Sequence, residues 1–511
     1  MNWIVFEDEH LLAVNKPAGW NTHAPAPFAG EGLYDWLRNR ERRWSRLSLL
    51  HRLDKETSGL ILFGKTPAAN RSLTRQFENR RVRKSYLLLT NRKVSFHQLR
   101  AVSALVRIGS KYASRPPHAR TPPAETLFRP AGEWIEAMPL TGKTHQIRVH
   151  AAAHGFPILG DTLYGGAPAP RLCLHAAALQ FEHPATGQPL SLSVPPDFAE
   201  DARWTLRAMI IDPAQTDAFR MVHGAADGWP GLYIDRLGDY LLAQSAAALT
   251  APQQEQIELC AQRTGARAIY HKLLERESRR PPQCLRGEPA APEICVRENG
   301  LAFALQLAEG SSFGLFLDQR DNRRRLLTGY IAPGFEIPPA PEVLNTFAYT
   351  CGFSVCAAAR GGRATSLDLS KHYLDWGRRN FVLNGLEPSS HTFIPGEAFD
   401  WFRRLAKKQR RFDLILLDPP TFSRSKEGGV FQAEKDYGAL TAAALPLLKP
   451  GGILFASTNA AGFAPQDFLH AVTGALAGRP VLQSHYAPQP PDFPIERAEP
   501  AYLKTVWLRI G

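Results

Sequence analysis

Residues 343–368 read VLNTFAYTCGFSVCAAARGGRATSLD: an apolar strand, a turn of small residues, a helix, and a second apolar strand that closes on an acid. In a nucleotide-binding α/β unit the small residues let backbone approach a ligand, and the closing acid accepts from ribose hydroxyls. Gly352 supplies the turn and Asp368 the acid. The glycine pattern is incomplete, because Cys351 stands where a glycine is common, and a plain buried βαβ unit also explains this stretch taken alone. Downstream, FIPGEAFDW (393–401) sets Glu397 and Asp400 after a short third strand, and FDLILLDPPTFSRSK (412–426) ends a fourth with Asp418-Pro419-Pro420. An acid after the third strand can bond an adenine amino group. A D-P-P turn exposes an acceptor and backbone carbonyls to a substrate base, on which Phe422 can stack. From about residue 340 apolar runs (EVLNTFA, ATSLDL, FDLILLD, GILFAST) alternate with amphipathic ones (HYLDWGRRNFVLNGL, DYGALTAAALPLLK), which predicts a parallel sheet with covering helices.

Working towards the N-terminus, Pro- and Gly-rich breakers fall at 195–198, 279–293 and 332–342. They predict three domains: 1–198, a small α+β segment over 203–310, and 311–511. The first is mostly β, with short apolar runs (WIVF, LLAVN, GLILF, SYLLL) between turn residues. A length of 511 residues accommodates three domains, and 44% hydrophobic with 21% charged residues excludes wholesale disorder and fibrous classes. No apolar stretch has the length of a membrane span, and MNWIVFEDEH lacks the form of a secretory leader, so a cytoplasmic protein with no membrane partner is expected. Six cysteines without a CxxC pair or a histidine cluster suggest reduced thiols and no metal site. Net charge is +13, and residues 1–200 carry 26 Lys and Arg against 16 Asp and Glu, so the excess sits in the first domain and favours a polyanionic partner such as nucleic acid.

In that domain His51-Arg52-Leu53-Asp54-Lys55-Glu56-Thr57-Ser58-Gly59-Leu60 is a polar loop opening into an apolar run, which presents the Asp54 carboxylate at the mouth of a strand. A surface turn with an ion pair is the plainer alternative. Lys84-Ser85-Tyr86 follows the basic RRVRK, and GKTHQIRVH (142–150) precedes GDTLYG (160–165). With NKPAG (15–19) and LCLHAAALQFEHPATG (172–187), these motifs resemble those of the RluA-type pseudouridine synthases over nearly all of residues 1–198. The resemblance implies an α+β domain with a mixed, mainly antiparallel sheet that needs no cofactor or metal. It also implies that Asp54 is the essential aspartate, Tyr86 the active-site tyrosine, and Arg148 the arginine that pairs with Asp54 and keeps it ionised. Tyr86 would stack on the base and assist removal of the C5 proton, while Arg52 would fill the space left by a flipped uridine. Lys16, His23, His145 and His150 are expected to be structural. Arg71, Arg75, Arg80, Arg81 and Arg83, interleaved with Phe77, suggest a phosphate-facing helix and loop, with a solvated face as the alternative.

The C-terminal motifs, together with GLFLDQRDNR (314–323), resemble class I S-adenosylmethionine methyltransferases, and in detail the bacterial 23S rRNA base methyltransferases of the RlmI and RlmK type. FRMVHGAADGWPGLYIDRLGDYLLAQ (219–244) and VRENGLAFALQL (296–307) extend the resemblance to about residues 205–511. It implies a Rossmann-like α/β fold and S-adenosylmethionine contacts from Phe316, Gln319, Arg320, Asn345, Tyr349, Gly352, Asp368 and Glu397, with Asp418 beside the methyl acceptor. For Arg320 and Arg323 the alternative is an ion pair with Asp318 or Asp321. Methylation at pyrimidine C5 needs a thiolate that adds at C6. Related C5 enzymes carry it in the strand after the D-P-P helix, where this chain reads Phe455-Ala456-Ser457-Thr458-Asn459. A ring nitrogen such as guanine N7 is therefore expected as acceptor, with cytosine C5 as the alternative. Arg403, Arg404, Lys407, Lys408, Arg410 and Arg411 either track RNA backbone or form the wet side of a helix.

The expected whole is a pseudouridine synthase fused to a methyltransferase, acting on RNA, 23S ribosomal RNA or tRNA. The competing readings are an RNA-binding assembly factor with one active centre and a small-molecule methyltransferase tethered to the first domain.

Overall fold

The computed structural model describes residues 3–117, 121–274, 281–308, 312–424 and 430–511. Positions 279–280 of the second breaker and 425–426 of the D-P-P stretch lie outside the described residues. Contacts divide the chain into two compact units, one of residues 1–25, 31–38 and 43–210, the other of 26–30, 39–42 and 211–511. The division falls after the helix Ala202–Ile210 rather than at the 195–198 breaker, and it keeps 211–310 together with the rest of the C-terminal chain.

The first unit is built on an 11-stranded sheet. Its strands pair antiparallel except where Leu174–Glu182 runs parallel to Ser58–Gly64. Ser58–Gly64 is buried along its whole length, so it reads as a continuous apolar run rather than an alternating one. Gly59, at φ +114°, sits where an added Cβ would strike the backbone of Ala176, which allows the parallel pairing to close. The helix Gln146–Ala153 is buried on almost every side, with His150 held between Ser103 and Thr126 at 3.0 and 2.8 Å.

The second unit carries a five-stranded sheet over 218–287 and a seven-stranded one from Glu342 onward. In the seven-stranded sheet the order is Thr392–Pro395, Arg363–Asp368, Glu342–Thr346, Phe412–Leu417, Leu448–Thr458, Lys504–Ile510, Val481–Tyr486. The first five are parallel and Lys504–Ile510 is antiparallel to both neighbours. Strand order reverses between Glu342–Thr346 and Phe412–Leu417, and the carboxyl ends at such a reversal are where open α/β sheets bind ligands. Leu344, Ile415 and Leu417 have no exposure, each contributing about 1.5–3 kcal/mol by burial. The two sheets share a core: Leu237, Leu242 and Phe303 pack in one cluster with Cys351, Val355 and Leu374.

Candidate active sites

In the first unit a cleft of about 1430 Å³ is lined by Asp54, Tyr86, His145 and Arg148, and by Arg52, Phe77, Arg80 and Arg83. Asp54 sits in the turn before Ser58–Gly64, and that turn is clasped from behind. The buried Lys16 ammonium donates to the carbonyls of Pro17, Trp20 and Lys55 at 2.8, 2.7 and 3.1 Å, and Thr22 exchanges two hydrogen bonds with the backbone of Leu53. Burial pulls Lys16 down to about 7. Its three acceptors are backbone carbonyls, as expected of an anchoring residue.

Arg148 does approach Asp54, with Nη1 3.9 Å from Oδ2, but its main partner is Asp161, which it grips bidentately at 2.7 and 2.8 Å. The expected pairing of Arg148 with Asp54 is thus present at the longer distance, while Asp161, which sequence reasoning did not single out, holds the guanidinium more closely. Burial pushes the Asp54 carboxyl above its usual range, against the pull of His145 and Arg148. Sequence reasoning gave Asp161 no role and His145 a structural one. The backbone N–H of Tyr112 donates to the Tyr164 hydroxyl at 3.0 Å, and that hydroxyl lies 2.7 Å from His145 Nδ1. The Tyr164 hydroxyl therefore links the Tyr112 backbone to the His145 ring, which orients that imidazole inside the cleft. The GDTLYG motif was the available signal for Asp161 and Tyr164. Burial and the nearby Asp54 raise Tyr86, which stays a neutral phenol. His51 accepts from the Leu62 N–H, stacks on Phe77 and is pulled down by burial to about 3. Arg52, Arg80 and Arg83 are exposed along the cleft, whereas Arg81 is paired with Glu182.

In the second unit the turn after Glu342–Thr346 holds three non-glycine residues in the left-handed region, Phe347, Tyr349 and Cys351 at φ 54°, 49° and 64°. Such backbone is costly for these residues and clusters at functional turns. Cys351 takes the conformation that favours glycine; it is buried and its thiol is pushed up to about 12. Asp368 fastens the turn, accepting from the N–H groups of Tyr349 and Ser370 at 2.8 Å each. A carboxylate has further lone pairs for ribose hydroxyls. Glu397 caps the helix Ala398–Lys407 and lines a 410 Å³ cavity walled by Phe347, Leu369 and Phe399, apolar enough for an adenine ring. Phe316 is 47% exposed and packs on Tyr349 at 5.3 Å. Gly352 opens the helix Gly352–Ala359. These residues together suit a nucleoside cofactor.

Two expected cofactor contacts, Arg320 and Asn345, are turned inward instead. Arg320 pairs bidentately with the buried Asp492 at 2.8 and 2.6 Å, a partner 172 positions away, and also reaches the anticipated Asp321 at 3.6 Å. Arg323 likewise grips Glu298 at 2.6 and 2.7 Å. Asn345 donates to Ser354, which bonds Ser366, in a buried polar chain. Gln319 turns to the D-P-P carboxylate: its amide donates to Asp418 at 3.2 Å and to Ser457 at 2.8 Å. Burial pushes Asp418 up to about 6, with Ser457 and Gln319 hydrogen bonds opposing. Tyr437, fully buried, ties the Leu417 carbonyl to the Ser457 backbone at 2.8 Å. Phe422 is 51% exposed beyond the D-P-P turn. On Ala398–Lys407 and after it, Arg403, Arg404 and Arg410 reach Asp400 or Glu342 from an exposed face. Among the described residues no group of acidic, histidine and cysteine side chains is placed to hold a metal, and no helix is long and apolar enough to cross a membrane.

Comparison with known proteins agrees with this geometry. Residues 219–509 match the family model of S-adenosylmethionine-dependent methyltransferases, and residues 10–153 that of RNA pseudouridylate synthases. A ribosomal RNA large subunit methyltransferase of Deinococcus radiodurans is 33% identical over 332 residues, 61% of this chain and 78% of that one. Ribosomal RNA large subunit methyltransferase I of Aeromonas salmonicida is 32% identical, covering 57% of this chain and 74% of its own. The crystal structure of SMU.776 complexed with SAH superposes with a TM-score of 0.53 at 26% identity, over 65% of this chain and 87% of that one. The chain belongs to the S-adenosylmethionine-dependent methyltransferase family and carries, over residues 10–153, an RNA pseudouridylate synthase domain.

Proposed function

We propose that the protein converts a uridine of ribosomal RNA to pseudouridine in the Asp54 cleft and methylates a second base, guanine at N7, beside Asp418. The observation that carries the first half is the convergence of Asp54, Tyr86 and Arg148, from three separated segments, on one large cleft edged by exposed arginines. Isomerisation needs an ionised carboxylate either to attack C1′ or to take a proton from the sugar, so that the uracil detaches, turns and rejoins through C5. Asp54 does this best when desolvated, which raises its basicity, and when Arg148 and His145 offset the cost of its charge. Neutral Tyr86 stacks on the uracil and assists loss of the C5 proton. Arg52 enters the stack vacated by the flipped nucleotide, and Arg80 and Arg83 face phosphates, while Arg81 is taken up by Glu182. This half requires no cofactor.

For the second half, Asp368 holds ribose hydroxyls, Glu397 the adenine edge, and Phe316, Tyr349 and Gly352 the remainder of S-adenosylmethionine, which supplies an electrophilic methyl group. A guanine N7 lone pair needs alignment rather than covalent activation. The C5 alternative lacks its nucleophile: Ser457 occupies the strand position in question, and Cys351 and Cys356 are buried neutral thiols. Relatives named as large subunit methyltransferases support 23S ribosomal RNA as the substrate, and hence a cytoplasmic site of action. Tritium release from ribosomal RNA labelled at uridine C5, run beside transfer of labelled methyl groups, tests both halves. Release that is independent of S-adenosylmethionine, with label recovered in 7-methylguanosine, is expected; label in 5-methylcytidine would overturn the acceptor assignment.

A further inference from the structure

A third cavity, of about 200 Å³, opens where the five-stranded sheet meets the segment leading into the methyltransferase fold. Gln244 and Lys272 come from the sheet, Phe316 and Asp318 from the segment, and Phe493 and Tyr502 from the far end of the chain. It adjoins the reaction centre: Phe316 packs on Tyr349 of the cofactor turn, and Gln319, next to Asp318, donates to Asp418. The aromatic rings offer flat surfaces, and the charged lining comprises the carboxylates of Asp318 and Asp235, the Lys272 ammonium and the Arg220 guanidinium. The neighbouring guanidinia are committed elsewhere, Arg220 to Asp235 at 2.5 and 3.1 Å and Arg323 to Glu298, while Tyr502 hydrogen-bonds to Asp318. Asp318 thus keeps acceptor capacity towards the cavity, since a carboxylate offers about four lone-pair sites.

We propose that this cavity holds the methyl-acceptor base by its Watson–Crick edge, with Asp318 accepting from guanine N1–H and N2–H and Lys272 donating to O6. The inference rests on the guanine N7 reading above and deepens it. A guanine gripped by that edge turns its imidazole side, and with it N7, away from the cavity and back towards Asp418. Adenine and cytosine lack the adjacent pair of donors that a carboxylate reads beside a carbonyl acceptor. Base choice would then be shared between Lys272 of the five-stranded sheet and Asp318 of the segment that follows it.

The test uses full-length Lys272→Gln and Asp318→Asn proteins. Methylation kcat/KM on unmodified ribosomal RNA should fall about 10- to 100-fold, the scale of a hydrogen bond to a charged group. Affinity for S-adenosylmethionine should stay within about twofold, and pseudouridine formation should be unchanged. In parallel, saturation-transfer NMR on protein saturated with S-adenosylhomocysteine should detect guanosine 5′-monophosphate but not the adenosine or cytidine monophosphates, and Asp318→Asn should abolish the signal. Unchanged methylation in both variants overturns the proposal, as does a loss matched by equal loss of cofactor affinity. If the wild type methylates guanine at an atom other than N7 and the variants lose it, the N7 reading fails while the cavity assignment stands; methylation of a different base overturns both. If the wild type methylates nothing, guanosine monophosphate binding decides: detected and abolished supports the cavity, absent overturns it.

Discussion

Asp54 and Asp418 occupy comparable places, each a carboxylate beside a strand end, each raised by burial, yet they are supported in opposite ways. Around Asp54 the neighbours are ionisable, Arg148 at 3.9 Å and His145 close by, and behind them stands a second tier of Asp161 and Tyr164. Around Asp418 the direct partners are neutral, the Gln319 amide and the Ser457 hydroxyl, braced by Tyr437. The first arrangement suits a group that must carry charge through bond breaking; the second suits one that orients an acceptor whose lone pair already points at the methyl group. Low-dielectric surroundings strengthen both, but only the first needs a nearby cation to keep its carboxylate ionised.

The sharpest way to break this contrast is Asp54→Asn. Pseudouridine formation should fall by about 10⁴-fold, with methylation untouched, in an assay that scores both products. Loss of both activities would show that the two centres are not independent. Next in size is Arg320→Ala. Removing one partner of a buried bidentate pair strands Asp492 and should cost about 3–5 kcal/mol by denaturant unfolding. The folded fraction should bind S-adenosylmethionine normally; a selective loss of cofactor affinity would return Arg320 to the cofactor site. Asp368→Ala should then weaken cofactor binding about 10- to 100-fold by calorimetry while sparing pseudouridine formation, and an unchanged affinity removes Asp368 from the ribose role.

The smallest effect is a pH profile. If Asp418 acts ionised, methylation rises through its value of about 6 and is half-maximal there, falling about tenfold per unit below, because protonation removes the acceptor. The sign for stability is opposite. A carboxyl raised in the folded state binds more protons than the unfolded chain between its ordinary value and about 6, so its contribution to stability declines as pH rises through that window. A methylation rate flat from pH 5 to 8 would detach Asp418 from the acceptor.

Much of this was legible in the chain itself, for a physical reason. The Asp54 loop, the D-P-P turn and the acid closing Arg363–Asp368 are local: each reads from a dozen residues because strand, turn and functional group are contiguous. The helix Arg320–Thr328 is the counterexample. The sequence offered Arg320 a cofactor contact and offered Arg320 and Arg323 a local ion pair, yet Arg320 through Arg325 are all buried, and Asp492 and Glu298, contributed by distant elements, neutralise Arg320 and Arg323. No periodicity encodes partners that far apart. Lys16 lies between these cases: its fully buried ammonium is explained by three carbonyls, one of them 39 positions away in the Asp54 turn.

The most direct test of two chemistries on one chain is a nucleoside mass-spectrometric digest of unmodified ribosomal RNA after incubation with the protein, with and without S-adenosylmethionine. Pseudouridine in both samples, and a methylated guanine only with the cofactor, is the predicted result. Pseudouridine without methylation, or methylation without pseudouridine, would contradict it and leave a single working centre.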